Sequence, residues 1–387
     1  MTGFADDAIA IGTTDVPDGW FDRFIVNLHP ADASAPTLHI GGGVYPARGV
    51  ADGFVLAVLD GEQRNLRLST TLADVRETAS RSVPGGNPAA QVGSLHWTTV
   101  VPMRHWQVRL DDNPSGVRFE LDWHRRLDPW SAPLTVHRDA EETARFDHLV
   151  QSGMVSGRID IDGHRVDVSG WPSARDRSRG TRTLHGGHGL HLWVVAHFPT
   201  CSVAALHVIG RDGHAVLTDG GIVHADGRID DIVDVRHNLR FDALQDLVGG
   251  SLAVTTASGL TLQLDATVGM RGGYMSGGGY GGAHGADRGR AHVEADVYPL
   301  DGSVGPRLLD TPLTDRAVRF TGRHADGTAV AGSGIIEFAQ TRSARYAYRA
   351  TLEPKADALV PKADALEPKA DALEPSDKQS AAPSGGA

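Results

Sequence analysis

The sequence has little of two features that would restrict its setting. It has one cysteine, Cys201, in 387 residues, so it cannot form an internal disulfide. It also has no excess of positive charge, since 37 Lys and Arg stand against 48 Asp and Glu and the formal net charge is -11. Nucleic acids and anionic membranes bind basic faces, so this charge argues against both as partners. The composition favours a small neutral ligand.

A targeting signal is also missing from the sequence. Residues 1–15 are acidic where a signal peptide has a basic start. No apolar run approaches the ~20 residues of a membrane span. These absences predict a cytoplasmic protein without stable membrane insertion, and they leave its oligomeric state open.

Long stretches free of glycine and proline are few, because 47 Gly and 20 Pro are spread through the chain. Both residues disfavour helix interiors. Short alternating segments predict strands, and Asp-Gly dipeptides between them predict hairpins. The predicted strands are 54–59, 97–101, 107–110, 117–123, 158–161, 192–197, 203–209, 260–266 and 291–297. Two short helices, 72–80 and 241–247, are not placed like crossover helices, so the predicted fold is all-β, with antiparallel barrels or sandwiches.

The C-terminal segment differs in kind from the rest of the chain. Residues 353–373 repeat a seven-residue pattern that begins Glu353-Pro354-Lys355-Ala356-Asp357-Ala358-Leu359. A seven-residue period also fits a coiled coil, but a proline in every repeat breaks the helix. The repeats have too little apolar surface to offset the entropy of ordering, so residues 351–387 are predicted to be a disordered tail.

Signatures of several common enzyme classes are missing. The sequence has no Gly-x-Ser-x-Gly elbow, no His-Glu-x-x-His helix and no dinucleotide-binding fingerprint in a βαβ setting. The glycine-rich segment 270–285 lacks the Gly-Lys-Ser/Thr ending of a phosphate-binding loop. It fits either a flexible lid that brings Tyr274, Tyr280 and His284 to a pocket or a disordered surface loop.

The most informative stretch is 150–182. It contains a hairpin at Asp162-Gly163 and then the segment 175–182, which carries four arginines and one carboxylate. This segment is predicted to be a loop that precedes the apolar strand 190–196. Arg175 and Arg177 flank Asp176, and two such neighbours favour the ionised carboxylate, which suits a base or an anchor.

This stretch resembles the lipocalin-like double-domain family that includes carotenoid 1,2-hydratase (hydroxyneurosporene synthase) and AttH-like proteins. The matching residues are Gln151-Ser152-Gly153, Gly157, Asp162-Gly163, Arg175-Asp176, Ser178, Gly180 and Arg182. Similar residues earlier in the chain are Trp20-Phe21, His39-Ile40-Gly41, Tyr45-Pro46, Val92-Gly93 and Arg104-His105-Trp106. The chain departs from the family at Arg177, where histidine is usual, and at Arg179, where tryptophan is usual.

The resemblance implies two consecutive lipocalin-like antiparallel β-barrel or sandwich domains, 1–145 and 146–350, before the tail. It also implies a ligand pocket at or between them and no cofactor. The implied activity is that of a cofactor-independent lyase (hydratase or dehydratase), isomerase or cyclase. Its substrate would be a hydrophobic small molecule of isoprenoid, steroid-like or polyketide-like character. Because the family histidine is missing at Arg177, another histidine such as His185, His188 or His191 would have to move the proton.

The candidate catalytic residues are Asp176, His188 and His191, and the candidate substrate-binding residues are Arg175, Arg182, Trp193, Tyr274 and Tyr280. Histidine titrates near neutrality and suits proton transfer. The alternative for Arg175, Asp176 and Arg182 is a buried ion-pair network that fixes the domain junction. The histidines 185, 188 and 191 match no established metal signature, so no metal is predicted.

Two other classes of function remain open for the sequence. A non-catalytic carrier could hold a hydrophobic ligand in a barrel cavity, as lipocalins do. A scaffold protein could recruit partners through its tail. The carrier would leave its bound ligand chemically unchanged, and the scaffold would depend on residues 353–387.

Overall fold

The fold is taken from a computed structural model of the chain. It describes residue 9 and residues 11–30, 35–81, 89–138, 141–182, 188–282, 284–324, 326–342 and 344–353. The described residues up to Leu352 belong to one compact unit. The predicted disordered tail lies outside the described residues, apart from 351–353.

Nearly every element is a β-strand, and every strand pairing described is antiparallel, which confirms the all-β prediction. The strands are β1 (Trp20–Leu28), β2 (Thr37–Tyr45), β3 (Val50–Val58), β4 (Glu62–Thr71), β5 (Ala89–Val92), β6 (Leu95–Val101), β7 (His105–Leu110), β8 (Val117–Arg125), β9 (Trp130–Arg138), β10 (Glu141–Ile161), β11 (His164–Arg182), β12 (His188–Phe198), β13 (Cys201–Gly210), β14 (Ala215–His224), β15 (Ile229–Phe241), β16 (Leu247–Thr256), β17 (Thr261–Val268), β18 (His292–Pro299), β19 (Thr314–His324) and β20 (Ala329–Gln340). The helix α1 is Leu72–Arg81, and short 3-10 turns lie at Pro46–Arg48 and Met275–Gly278.

The first sheet has twelve strands in the order β18-β4-β3-β2-β1-β11-β10-β8-β7-β6-β5, with β9 also paired to β10. It curls around an apolar core that contains Phe24, Trp97 and Trp106. The long strands β10 and β11 form the centre of this sheet. Their hairpin is the predicted one, with Ile161 opposite His164 and both turn residues at positive φ (Asp162 52°, Gly163 86°).

The second sheet is a closed barrel in the order β12-β13-β14-β15-β16-β17-β19-β20, closed by the pairing of β20 with β12. Its interior is filled by apolar side chains such as Leu192 and Val194. The alternate residues of the same strand, Trp193 and Val195, point outward and pack against the first sheet together with Trp130 and Phe146. Apolar side chains thus occupy the inside of the barrel, and its outer wall packs against the first sheet.

The two predicted helices had different outcomes. The prediction of 72–80 is confirmed by α1, whose N-terminus is capped where the Asp74 N–H donates to Thr71 Oγ1 at 3.1 Å. The prediction of 241–247 is wrong, because Phe241 ends β15 and Leu247 begins β16. Between them Asp242 Oδ1 accepts hydrogen bonds from the N–H groups of Leu244 and Asp246, which fixes a tight turn.

The charged segment 175–182 is also different from the prediction. It is the second half of β11 and not a loop, paired on one side with β1 and on the other with β10. Both neighbours satisfy its backbone hydrogen bonds, which a charge count along the sequence does not reveal.

The chain leaves the barrel between β17 and β19 and returns to the first sheet. This excursion adds β18 to the edge of that sheet, next to β4. The glycine-rich segment within it is anchored, since Tyr274 is fully buried and its hydroxyl donates to Asp246 Oδ2 at 2.6 Å. Arg67 also donates to the carbonyl of Gly277 at 2.7 Å. The described part of this segment is packed against the sheet, so a disordered surface loop is not what is found.

The division into domains at residue 145 stays a prediction about folding units. The change from the first sheet to the barrel lies between Arg182 and His188. Among the described residues, no helix has the length and apolar character needed to cross a membrane.

A buried histidine of the barrel gives a prediction for stability against pH. His237 is fully buried, and burial, followed by the nearby His207, lowers its pKa to about 4. The unfolded chain therefore binds a proton at this histidine from about pH 6.5 downward, before the folded chain does. We expect stability to be lost as the pH falls from about 6.5 to 4, by about 1.4 kcal/mol per pH unit from this group.

The measurement compares urea unfolding of the wild-type protein and of His237→Gln at several pH values. The free energy of unfolding of the wild type, minus that of the variant, should fall as the pH falls, while other titrating groups cancel in the difference. A difference that stays constant between pH 6.5 and 4 would show that His237 does not titrate in this way.

Candidate functional site

A cavity of about 820 Å³ lies where the outer wall of the barrel faces the first sheet. Its size suits a ligand of drug-like dimensions. The sheet contributes residues of β1, β10 and β11, the barrel contributes residues of β12 and β20, and the glycine-rich segment closes one side. The lining includes Phe21, Arg23, Phe146, His148, Asp176, His188, His191, Trp193, Tyr280, His284 and Glu337.

Strand alternation decides which residues of β11 reach this cavity. Asp176 and Ser178 line it, whereas the intervening Arg175 and Arg177 are buried on the opposite face. On the partner strand, Ile25 lies opposite Asp176 and also lines the cavity. The arginines that flank Asp176 in the sequence therefore do not share its environment.

Arg175 is held inside the first sheet. Its guanidinium lies 4.6 Å from the ring centroid of Trp106 and 5.4 Å from that of Trp123, and it donates to Gln151 Oε1 at 2.7 Å. These contacts are cation–π and charge-assisted interactions that stabilise a buried guanidinium. The candidate role of Arg175 in substrate binding is not supported by this placement.

Arg177 makes the buried ion pair of this strand. It donates to both carboxylate oxygens of Asp22, at 2.9 and 2.7 Å, and both side chains are almost fully buried. The side chain at position 177 faces away from the cavity. A histidine at this position, as the family usually has, would not line the cavity, so its replacement by Arg177 removes no group from the cavity wall. Arg179 forms a looser ion pair with Asp147, in which Arg179 Nη2 lies 3.9 Å from Asp147 Oδ2.

Asp176 is paired with a histidine of the neighbouring strand. His148 Nε2 lies 3.1 Å from Asp176 Oδ2. The His148 ring is surrounded by aromatic rings, with centroids at 4.8 Å for Trp193, 5.8 Å for Trp130 and 6.0 Å for Phe146. A carboxylate fixes the orientation and tautomer of a paired imidazole, so this pair can take up or deliver a proton at a defined position.

The barrel wall carries a second carboxylate–histidine pair. His191 Nε2 lies 2.7 Å from Glu337 Oε1, and the ring of His188 is 6.1 Å from that of His191. Behind Glu337 lies the fully buried Asp315, opposite it on the next strand. Burial, and then the charge of Glu337, raise the pKa of Asp315 well above its usual range. The raised pKa favours the protonated, uncharged form of Asp315.

The third group of polar side chains combines Arg23, Tyr280 and His284. The Arg23 guanidinium lies 5.1 Å from the Tyr280 ring centroid, and the Tyr280 ring packs 4.4 Å from that of His284. Burial raises the pKa of Tyr280, and burial followed by the charge of Arg23 lowers that of His284. At neutral pH this group thus presents a permanent cation, a phenol donor and a neutral imidazole.

The structure brings most of the predicted site residues together. Asp176, His188, His191, Trp193 and Tyr280 all line the cavity. Tyr274 instead packs with Val58 and Leu300 and bonds to Asp246, away from that lining. The Arg182 side chain and His185 lie outside the described residues. The roles of all these residues remain predictions.

Three residues of the cavity lining were not predicted from the sequence: His148, Glu337 and Arg23. Each lies in an ordinary strand sequence with no spacing motif around it. One indication of His148 was available in the sequence, because this histidine lies three residues before the motif Gln151-Ser152-Gly153 on the same strand. The pairing of Val150 with Asp176 is what brings this histidine near the carboxylate, and register is not readable from one strand.

Comparison with known proteins finds one matching family model and three solved structures with a similar fold. A family model for the domain of unknown function DUF7064 matches residues 34–304. An AttH-like protein from Nitrosomonas europaea superposes with a TM-score of 0.56 at 12% identity, over 83% of this chain and 92% of that one. Kievitone hydratase from Nectria haematococca gives 0.51 at 9% identity, over 88% and 93%. CghA gives 0.51 at 13% identity, over 84% and 88%.

No curated protein matches the chain in sequence. The resemblance to AttH-like proteins seen in the motif of 150–182 is confirmed at the level of the fold. At these identities the similarity concerns the fold, which hosts more than one activity. The function has to be argued from the cavity.

Proposed function

The chain belongs to the DUF7064 domain family, and from that premise we propose that it is an acid–base enzyme acting on a hydrophobic small molecule. The reaction would be hydration or dehydration, isomerisation or cyclisation of an isoprenoid, steroid-like or polyketide-like compound. The observation that carries the proposal is the pairing of Asp176 with His148 and of Glu337 with His191 in the lining of one cavity.

Two proton-transfer groups are what such reactions need. Addition of water to a double bond, for example, delivers one proton to carbon and removes another from water. Asp176 and His148 stand on the sheet wall, and His191 and Glu337 stand on the barrel wall, so one pair can donate while the other accepts. The solved neighbours include a hydratase, which agrees with this reaction class.

The remaining lining suits the proposed substrate. Phe21, Phe146 and Trp193 provide apolar area, and the π face of Trp193 can stabilise positive charge that develops on carbon. Arg23 and the Tyr280 hydroxyl can hold an electronegative oxygen of the substrate. The cavity thus combines a binding role and a proton-transfer role, and different residues carry the two.

The test uses full-length protein purified from its own host. Native mass spectrometry identifies a retained ligand by its mass. The complex is then incubated in D₂O, and the ligand is released. After exchange back into H₂O, which removes deuterium from O–H and N–H groups, the mass of the ligand is measured by mass spectrometry. An acid–base enzyme should leave carbon-bound deuterium in the ligand, or convert it to a product of different mass or chromatographic retention. A ligand that emerges unlabelled and unconverted would overturn the proposal and favour a carrier.

A further inference from the structure

A second group of polar residues lies on the outer face of the first sheet, among residues that the proposed function does not use. His105, Asp122 and His124 each offer a ligand atom, and these atoms all lie within 4.8 Å of one another. Among the described residues, no other group of three His, Cys, Asp or Glu side chains has ligand atoms this close together. We propose that these three residues bind a first-row transition-metal dication, with Zn²⁺ as the probe ion.

Strand register brings the three side chains together. His105 on β7 lies directly opposite His124 on β8, and Gln107 lies opposite Asp122 in the next pair on the same face. The residues between them, Trp106 and Trp123, point into the core. Two rigid, tryptophan-anchored strands therefore fix the three Cα positions, and the side chains project from one surface.

The distances between these side chains are close to those between the ligands of a bound ion. The His105 and His124 rings stack at 4.2 Å with an interplanar angle of 21°, and His105 Nε2 lies 2.7 Å from Asp122 Oδ1. Two ligands of a tetrahedral zinc ion stand roughly 3.3 Å apart, given bonds of about 2.0–2.1 Å. Binding an ion beside Asp122 would require rotation about the side-chain bonds of His105 and His124, so that a nitrogen of each ring points at the ion.

The ligand set determines which ions fit. Two imidazoles and one carboxylate are the donors that zinc and its neighbours in the first row accept, whereas Mg²⁺ and Ca²⁺ take oxygen ligands. Asp122 and His124 are partly open to solvent, so water can complete the coordination. Gln107 Nε2 donates to Asp122 Oδ1 at 3.1 Å and holds the carboxylate in place.

A neighbouring cluster provides a matched control. His96 Nε2 lies 2.9 Å from Asp111 Oδ2, much like the pair His105 and Asp122. Arg109 occupies the third position there, with Nη2 3.3 Å from the same Asp111 oxygen. A permanent guanidinium repels a dication, so the His96 cluster should not bind one.

The proposed ion would lie close to a turn that supports the cavity wall from behind. Met103, two residues before His105, accepts a hydrogen bond from Gln151 Nε2 through its carbonyl at 3.1 Å. Its sulfur is 3.4 Å from Arg175 Nη2. Clamping β7 to β8 at His105 and His124 would therefore steady the turn on which Gln151 and Arg175 rest.

The experiment is isothermal titration of ZnCl₂ into tag-free full-length protein that has been stripped with a chelator, with MgCl₂ titrated in parallel. We expect zinc binding by the wild type and by His96→Gln, and no binding of magnesium. His105→Gln and His124→Gln should each weaken zinc binding at least tenfold, and Gln107→Ala about tenfold. A thermal scan should show zinc raising the melting temperature of the wild type and not of His105→Gln.

Each result decides the proposal. A wild type that binds no zinc would overturn it, and so would unchanged affinity in both His105→Gln and His124→Gln, because the ion would then lie elsewhere. Melting curves without zinc show whether each variant is folded. Equal loss of binding in His96→Gln would also count against the proposal.

Discussion

Replacing Asp176 by asparagine should lower the rate of deuterium incorporation or conversion of the retained ligand by about 100-fold or more. Proton transfer by a positioned side chain contributes on the order of 10²–10⁴ to a rate. Asparagine keeps the size of the side chain but cannot carry the charge that stabilises a protonated His148, 3.1 Å away. The rate is measured by mass spectrometry of the released ligand over time in D₂O.

The control for this substitution is Asp147→Asn. Asp147 lies on the neighbouring strand β10, and its carboxylate forms the looser pair with Arg179 at 3.9 Å, away from the cavity lining. It should leave the rate unchanged. Glu337→Gln should also lower the rate, because it removes the charge bonded to His191. If Asp176→Asn retained wild-type turnover while folding normally, the Asp176–His148 pair would have no catalytic role.

Replacing Asp22 by alanine should destabilise the protein by about 3–5 kcal/mol, the usual cost of removing one partner of a buried ion pair. Asp22 is the carboxylate that receives two hydrogen bonds from Arg177, and the two side chains are 0% and 1% exposed. Its loss leaves a guanidinium buried beside a void. Urea unfolding monitored by tryptophan fluorescence measures the change.

A surface ion pair provides the comparison for Asp22. Arg125 donates to Asp128 at 2.6 Å, but the two side chains are 35% and 55% exposed. Asp128→Ala should therefore cost less than about 1 kcal/mol. The double variant Asp22→Leu with Arg177→Met should recover much of the loss, because apolar pairs can replace buried ion pairs. A loss below about 1 kcal/mol for Asp22→Ala would show that the pair does not hold β1 to β11.

The sequence was informative where the signal is local. The Asp162-Gly163 hairpin was predicted because positive φ at two adjacent residues needs that dipeptide chemistry. Helix α1 was predicted as one of two short helical candidates. The turn at 242–246 was not predicted, because it is fixed by hydrogen bonds from the backbone N–H groups of Leu244 and Asp246 to the Asp242 side chain. Asp176 was selected by its motif, and the structure places it in the cavity lining.

The sequence by itself determined the all-β character, because alternating apolar residues and glycine-rich turns depend only on neighbours along the chain. It also determined which segment carries the polar motif. The tertiary structure alone decided that Asp176 faces the cavity while Arg175 and Arg177 face the core, and that His148 and Glu337 join the site. The physical reason is register: sliding a strand by one residue moves every side chain to the other face, and register is set by contacts between distant strands.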